Sequence, residues 1–145
     1  MEIHDAALDE LDPRTLYRIL ALRSQVFVVE QDCAYLDLDG RDAEPGARQL
    51  WIERDGTVLA TLRVLADDAA TVRIGRVATV PEARGGGLAA QLMARALALA
   101  GDREVVLDAQ TYLHDWYARF GFVRDGADFV EDGIPHVPMR RPGRS

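Results

Sequence analysis

Lysine is absent: all 17 basic side chains of this 145-residue chain are arginine. A phosphate loop of the Gly-Lys-Ser/Thr kind therefore has nothing to build on. Cysteine occurs once, at Cys33, which excludes an intrachain disulfide. A lone thiol fits a reducing compartment. Nothing near Cys33 is built to lower its pKa, so it reads as passive. No apolar run approaches the ~18 residues that a membrane-spanning helix needs. Glu2, Asp5, Asp9 and Glu10 make the N-terminal stretch acidic, the opposite of a basic secretion signal. A cytoplasmic location is expected. Positive charge is also scarce, with 17 basic against 24 acidic side chains and a net charge of −7. That balance disfavours nucleic acid as a partner and suits a cationic substrate better.

What is present is a core. At 48% hydrophobic residues the composition excludes a disordered chain. A chain of this length buries about 70% of its unfolded surface on folding. A single domain over 1–145 is expected, with no repeats or linkers.

Asp12-Pro13 is a helix start, with Asp12 as N-cap and Pro13 at the first helical position. Leu16, Ile19, Leu20, Arg23, Val26, Phe27 and Glu30 follow at helical spacing. Residues 31–47 form a loop containing Asp37, Asp39 and Asp42. Their spacing does not match a calcium loop, and no metal is expected. They read as capping aspartates on a solvated loop, or as an attractor for a cationic acceptor. Residues 49–53, 58–65 and 71–80 read as a three-strand antiparallel meander, with Asp55-Gly56 as its first turn. A helix is predicted from Leu88 through Leu99, a strand at 104–107 and a helix at 112–120 closed by Gly121. Strand patterns follow to residue 139. This order implies an α+β fold with a mixed sheet.

Between the third strand and the second helix runs Arg84-Gly85-Gly86-Gly87-Leu88-Ala89. Backbone N–H groups at a helix N-terminus carry partial positive charge, and glycines let a ligand approach them closely. The segment reads as a phosphate site without lysine, to which Arg84 can add donors. A dinucleotide loop is the rival: Gly85, Gly87 and Ala90 fit G-x-G-x-x-A, with Asp108 ending the next strand. The preceding meander and the long approach from Val80 argue against it.

Arg84, Gly87 and Ala89 match R/Q-x-x-G-x-G/A, and the chain resembles the GNAT superfamily of N-acetyltransferases. The segments 23–31, 74–77 and 131–136 resemble its ElaA-like branch. The resemblance implies acetyl-coenzyme A as donor and a primary amine, small-molecule or protein, as acceptor. It implies that Ala78, Thr79 and Val80 hold the pantetheine arm. Gly85, Gly86, Gly87, Leu88, Ala89 and Ala90 would hold the pyrophosphate, in a gap where the strands splay apart. Tyr117, in Y-x-x-x-G-F, would protonate the leaving thiolate. A backbone N–H near Val77 or Ala78 would stabilise the oxyanion. Gln110 stands where many relatives place a cofactor-touching asparagine.

The chain departs from the pattern at Arg76, where many relatives carry a glutamate base. Glu30 and His136 are candidate replacements on the acceptor side. Arg76 is a candidate either for binding an acceptor carboxylate or for pairing with an internal acid such as Glu30. A coenzyme A-binding module without catalysis is the alternative. Monomer and homodimer both remain open, since edge strands in the tail offer pairing.

Overall fold

A computed structural model describes residues 2–144. Eight strands form one mixed sheet in the order β1-β2-β3-β4-β5-β8-β6, with β7 also paired to β8. The strands are β1 (Ile3–Ala6), β2 (Arg48–Arg54), β3 (Thr57–Ala66), β4 (Thr71–Thr79), β5 (Glu104–Gln110), β6 (Val123–Arg124), β7 (Phe129–Glu131) and β8 (Ile134–Arg141). The expected meander is there with a fourth strand, because β1 pairs antiparallel with β2. Four residues with only one fully buried member carry too little pattern to read as a strand. Among the described residues, only the β4–β5 pair is parallel.

Helices cover both faces of the sheet. α1 (Pro13–Arg23) starts as predicted, with Asp12 accepting from the amides of Arg14 and Thr15. It continues as a π-helical segment over Ser24–Glu30. Its buried residues Ile19, Leu22 and Val26 pack with Trp51, Val58 and Ala78. α2 (Leu88–Ala100) lies on the other face, where Leu92, Met93 and Ala96 meet Leu50, Ile52 and Leu62. The alternation Leu50-Trp51-Ile52 splits neighbouring residues of β2 between the two faces, as the pleat requires. Fully burying each such large apolar side chain contributes about 1.5–3 kcal/mol. α3 (His114–Ala118) is shorter than expected, because a 3-10 turn occupies Thr111–Leu113. Gly121 ends the segment at φ +93°, a left-handed conformation that favours glycine. No helix among the described residues is long and apolar enough to cross a membrane.

The loop 31–47 corrects the sequence reading. Asp39 does cap the Arg41 amide, as a capping aspartate would, but the three aspartates are bound by arginines and are not solvated. Asp37 is 5% exposed and binds Nε of Arg23, which is wholly buried. Asp42 binds Arg23 and Arg63, while Asp39 binds Arg63 through two guanidinium nitrogens at 2.8 Å. With Arg76 of β4, which meets Asp37 and Asp39, three arginines from α1, β3 and β4 fasten the loop to the sheet.

Candidate active site

β4 and β5 pair only over Thr71–Arg73 and Glu104–Val106. Beyond that point the strands separate, because β5 runs with β8 while β4 stays with β3. The opening is a cavity of about 1140 Å³ lined from Ile74 to Thr79 on one side and by Leu107, Asp108 and Gln110 on the other. This is large enough for a drug-sized ligand.

β4 carries a bulge at the cavity wall. Thr61 pairs with Ala78 and Arg63 with Gly75, so Arg76 and Val77 together oppose Leu62. Arg76 adopts φ +55°, a conformation that costs a non-glycine residue about 1–3 kcal/mol. Its side chain holds it there. Nε lies 2.8 Å from Asp37 Oδ1, an ionic contact outside hydrogen-bonding angle. Nη2 donates to the Asp37 carbonyl and lies 3.3 Å from Asp39 Oδ2. The guanidinium also sits 5.5 Å from the Tyr35 ring centroid.

At the end of β4, Pro81–Ala83 makes a 3-10 turn and the glycine loop follows. Gly85 and Gly87 have φ of +84° and +80°. A methyl at either would meet nothing within 4 Å, so open space faces the loop. Gly87 is the N-cap of α2 and supplies no side chain, leaving the first-turn amides without a side-chain cap. These features fit an anionic group such as a pyrophosphate.

Tyr117 projects from α3 into the same cavity. The residue is 7% exposed, and its ring packs edge-on against Trp116 and Phe122. Its hydroxyl has no hydrogen-bond partner among the described residues. Burial pushes its pKa up to about 12, so it stays protonated near neutrality.

The acetyltransferase (GNAT) domain profile matches residues 23–142. The chain belongs to the GNAT acetyltransferase family. Protein ElaA of Escherichia coli is 38% identical, over 97% of this chain and 96% of its own. Its crystal structure superposes with a TM-score of 0.90, covering 97% of this chain and 98% of that one. An acyl-CoA N-acyltransferase from Pseudomonas aeruginosa superposes at 0.91 with 41% identity, covering 97% of this chain and 99% of that one. UPF0039 protein Rv2851c of Mycobacterium tuberculosis is 51% identical, over 92% of this chain and 88% of its own.

Within this GNAT fold the three segments that resemble the ElaA-like branch converge on the cavity. Glu30 comes from the end of the π-helical segment, Arg76 from the bulge, and His136 from β8. Gln110 is the cross-strand partner of His136. His136 Nδ1 lies 2.7 Å from the Ile134 carbonyl, which only accepts, so Nδ1 carries the proton. In the neutral ring Nε2 is then free to accept. Phe129 stacks on the ring.

Two expected pairings are different. Arg76 meets Asp37 and Asp39 rather than Glu30. Glu30 instead receives two hydrogen bonds from Arg84, at 2.7 and 2.8 Å. Arg84 Nε donates to the Thr79 carbonyl. The guanidinium expected to reach phosphate is therefore already engaged. The hydrogen bonds from Arg84 lower the Glu30 pKa despite opposition from desolvation. Sequence reasoning missed Asp37, Asp39 and Tyr35 as the anchors of Arg76. Cys33 is buried and donates to the Asp132 carbonyl, tying the loop to the β7–β8 turn.

Proposed function

We propose that this chain transfers an acetyl group from acetyl-coenzyme A to a primary amine, by direct attack in a ternary complex. The observation that carries the reading is a cavity between the parted strands β4 and β5 whose lining includes Arg84, at the head of the glycine loop, and Tyr117, whose hydroxyl has no hydrogen-bond partner among the described residues. Backbone groups of Ala78, Thr79 and Val80 hold the pantetheine arm. The amides from Gly85 to Ala90 hold the pyrophosphate. Arg84 contributes by shaping the loop through Thr79, and Gln110 lines the arm's path. The bound thioester supplies the activated acyl carbon.

A protonated amine cannot attack, so a base must take its proton. His136 is the better candidate, because Nε2 is free to accept while both oxygens of Glu30 are occupied by Arg84. Glu30 serves the acceptor side as a charged wall. Arg76 positions the bulge, from which a backbone N–H near Val77 or Ala78 stabilises the oxyanion. Tyr117 then gives its proton to the departing thiolate. The single buried Cys33 supports a cytoplasmic setting, and the chain is taken to work as a monomer or homodimer.

Thiol release from acetyl-coenzyme A across an amine panel tests this. Release that depends on both an amine and Tyr117 supports transfer. Tight coenzyme A binding with no release from any amine would replace the reading with a non-catalytic binding module.

A further inference from the structure

Two arginines converge on one residue of the loop 31–47. Asp37 is 5% exposed and takes a guanidinium on each side. From α1, Arg23 donates through Nε to Oδ2 at 2.9 Å and through Nη2 to the Asp37 carbonyl at 3.1 Å. From the bulge, Arg76 places Nε 2.8 Å from Oδ1 and donates through Nη2 to the same carbonyl at 3.2 Å. Tyr35 donates its hydroxyl to Oδ1 at 2.9 Å, while its ring lies under the Arg76 guanidinium. Arg23 is wholly buried, so Asp37 is anchored to α1 independently of Arg76.

The hold acts on backbone. Arg76 is the first of the two bulge residues that oppose Leu62, and its φ is +55°. One class of bulge puts glycine at that position, because a side chain disfavours positive φ. An arginine stays there only where its surroundings retain it. The next two residues, Val77 and Ala78, carry the amides proposed for the oxyanion. Such a donor acts at about 2.7–3.1 Å from the developing charge, so a relaxed bulge would aim it wrongly. Arg76, Val77 and Ala78 line the cavity. Asp37 lies behind that wall and reaches the chemistry only through Arg76.

We propose that Asp37 is a positioning residue for thioester activation: it grips Arg76, keeps the bulge at positive φ and so aims the oxyanion amide. This rests on the acyltransferase reading and adds to it a residue outside the cavity.

The test is isotope-edited infrared spectroscopy of the full chain with acetyl-coenzyme A carrying carbon-13 at its carbonyl. A hydrogen bond to that oxygen lowers its stretching frequency, and no acceptor amine is needed. Arg76→Ala loses the grip and keeps the strain, so its band should lie at higher frequency than that of the unsubstituted chain. Arg76→Gly loses the grip but takes positive φ freely, so its band should return toward the original position. Asp37→Asn should raise the frequency on its own and leave it in place when combined with Arg76→Gly. Calorimetric affinity for acetyl-coenzyme A should stay within about threefold throughout, because the phosphates and arm are held elsewhere. Both Arg76 variants leave the buried Arg23–Asp37 pair intact, so they test the grip even where Asp37→Asn does not fold. A band shared by the unsubstituted chain and Arg76→Ala, a glycine variant that behaves like the alanine one, or an Asp37→Asn shift that persists beside Arg76→Gly overturns the inference. Failure of acetyl-coenzyme A to bind the unsubstituted chain overturns the underlying reading, and the inference with it.

Discussion

Glu30 and Arg84 join the end of the first helix to the glycine loop through a two-pronged ion pair at the cavity wall. Both side chains are about two-fifths exposed, at 39% and 43%. Exposed pairs of this kind contribute about 0–1 kcal/mol to stability. Their placement matters more, because Glu30 neutralises the one arginine beside the proposed phosphate cradle. Glu30→Gln should leave the urea midpoint nearly unchanged and tighten coenzyme A binding several-fold. Turnover should persist, since His136 is the proposed base. Weaker cofactor binding in that variant would mean that Glu30 holds Arg84 in place for the phosphates.

Tyr117→Phe removes an oxygen and keeps the ring against Trp116 and Phe122. No hydrogen bond is lost with it among the described residues. Stability should therefore change little. Loss of a positioned general acid lowers turnover about 10²–10⁴-fold. Calorimetry should show coenzyme A affinity retained. His136→Gln should likewise cut turnover without weakening the cofactor.

Arg23 is wholly buried and serves Asp37 and Asp42 together. Its removal strands two carboxylates in a poorly hydrated place. Arg23→Met should cost about 3–5 kcal/mol, because breaking one side of a buried pair leaves uncompensated charge. Urea unfolding measures this directly. A loss below about 1 kcal/mol would show that Arg63 and Arg76 suffice to hold the loop.

The same network sets the acid limit of the fold. Hydrogen bonds from Arg63 hold the Asp39 carboxyl well below its ordinary value, outweighing desolvation. Burial pushes Asp42 upward, but Arg23 and Arg63 override it and the net shift is down. Depressed folded-state values mean that the unfolded chain binds protons first as pH falls. The stabilisation is present above about pH 4 and is lost progressively below it. Urea midpoints should be flat near neutrality and drop below about pH 4, with a shallower drop in Asp39→Asn.

Much of this was legible in the sequence. Asp12-Pro13 marked the first helix, Asp55-Gly56 the hairpin, and Gly121 the turn that follows α3. Each is a local signal with a local cause. The glycine loop was read the same way, whereas Tyr117 and His136 were singled out beside the family resemblance, and the fold lines one cavity with Arg84, Tyr117 and His136. What stayed hidden was non-local. The Arg23–Asp37 and Arg76–Asp37 pairs span 14 and 39 residues, and nothing in residues 31–47 reveals partners at that distance. The bulge at Arg76 depends on registry between β3 and β4, which no single strand encodes. β1 is recognisable only once β2 is there to pair with it.

The central claim is that the split between β4 and β5, ending at the glycine loop, binds an acyl-coenzyme A. Thermal melting with acetyl-coenzyme A, free coenzyme A and NAD at matched concentration tests it most directly. A ligand at 100 times its dissociation constant stabilises the native state by about 2.7 kcal/mol, which raises the melting temperature visibly. Both coenzyme A species should stabilise the protein and NAD should not. Stabilisation by NAD alone, or by none of the three, would contradict the account.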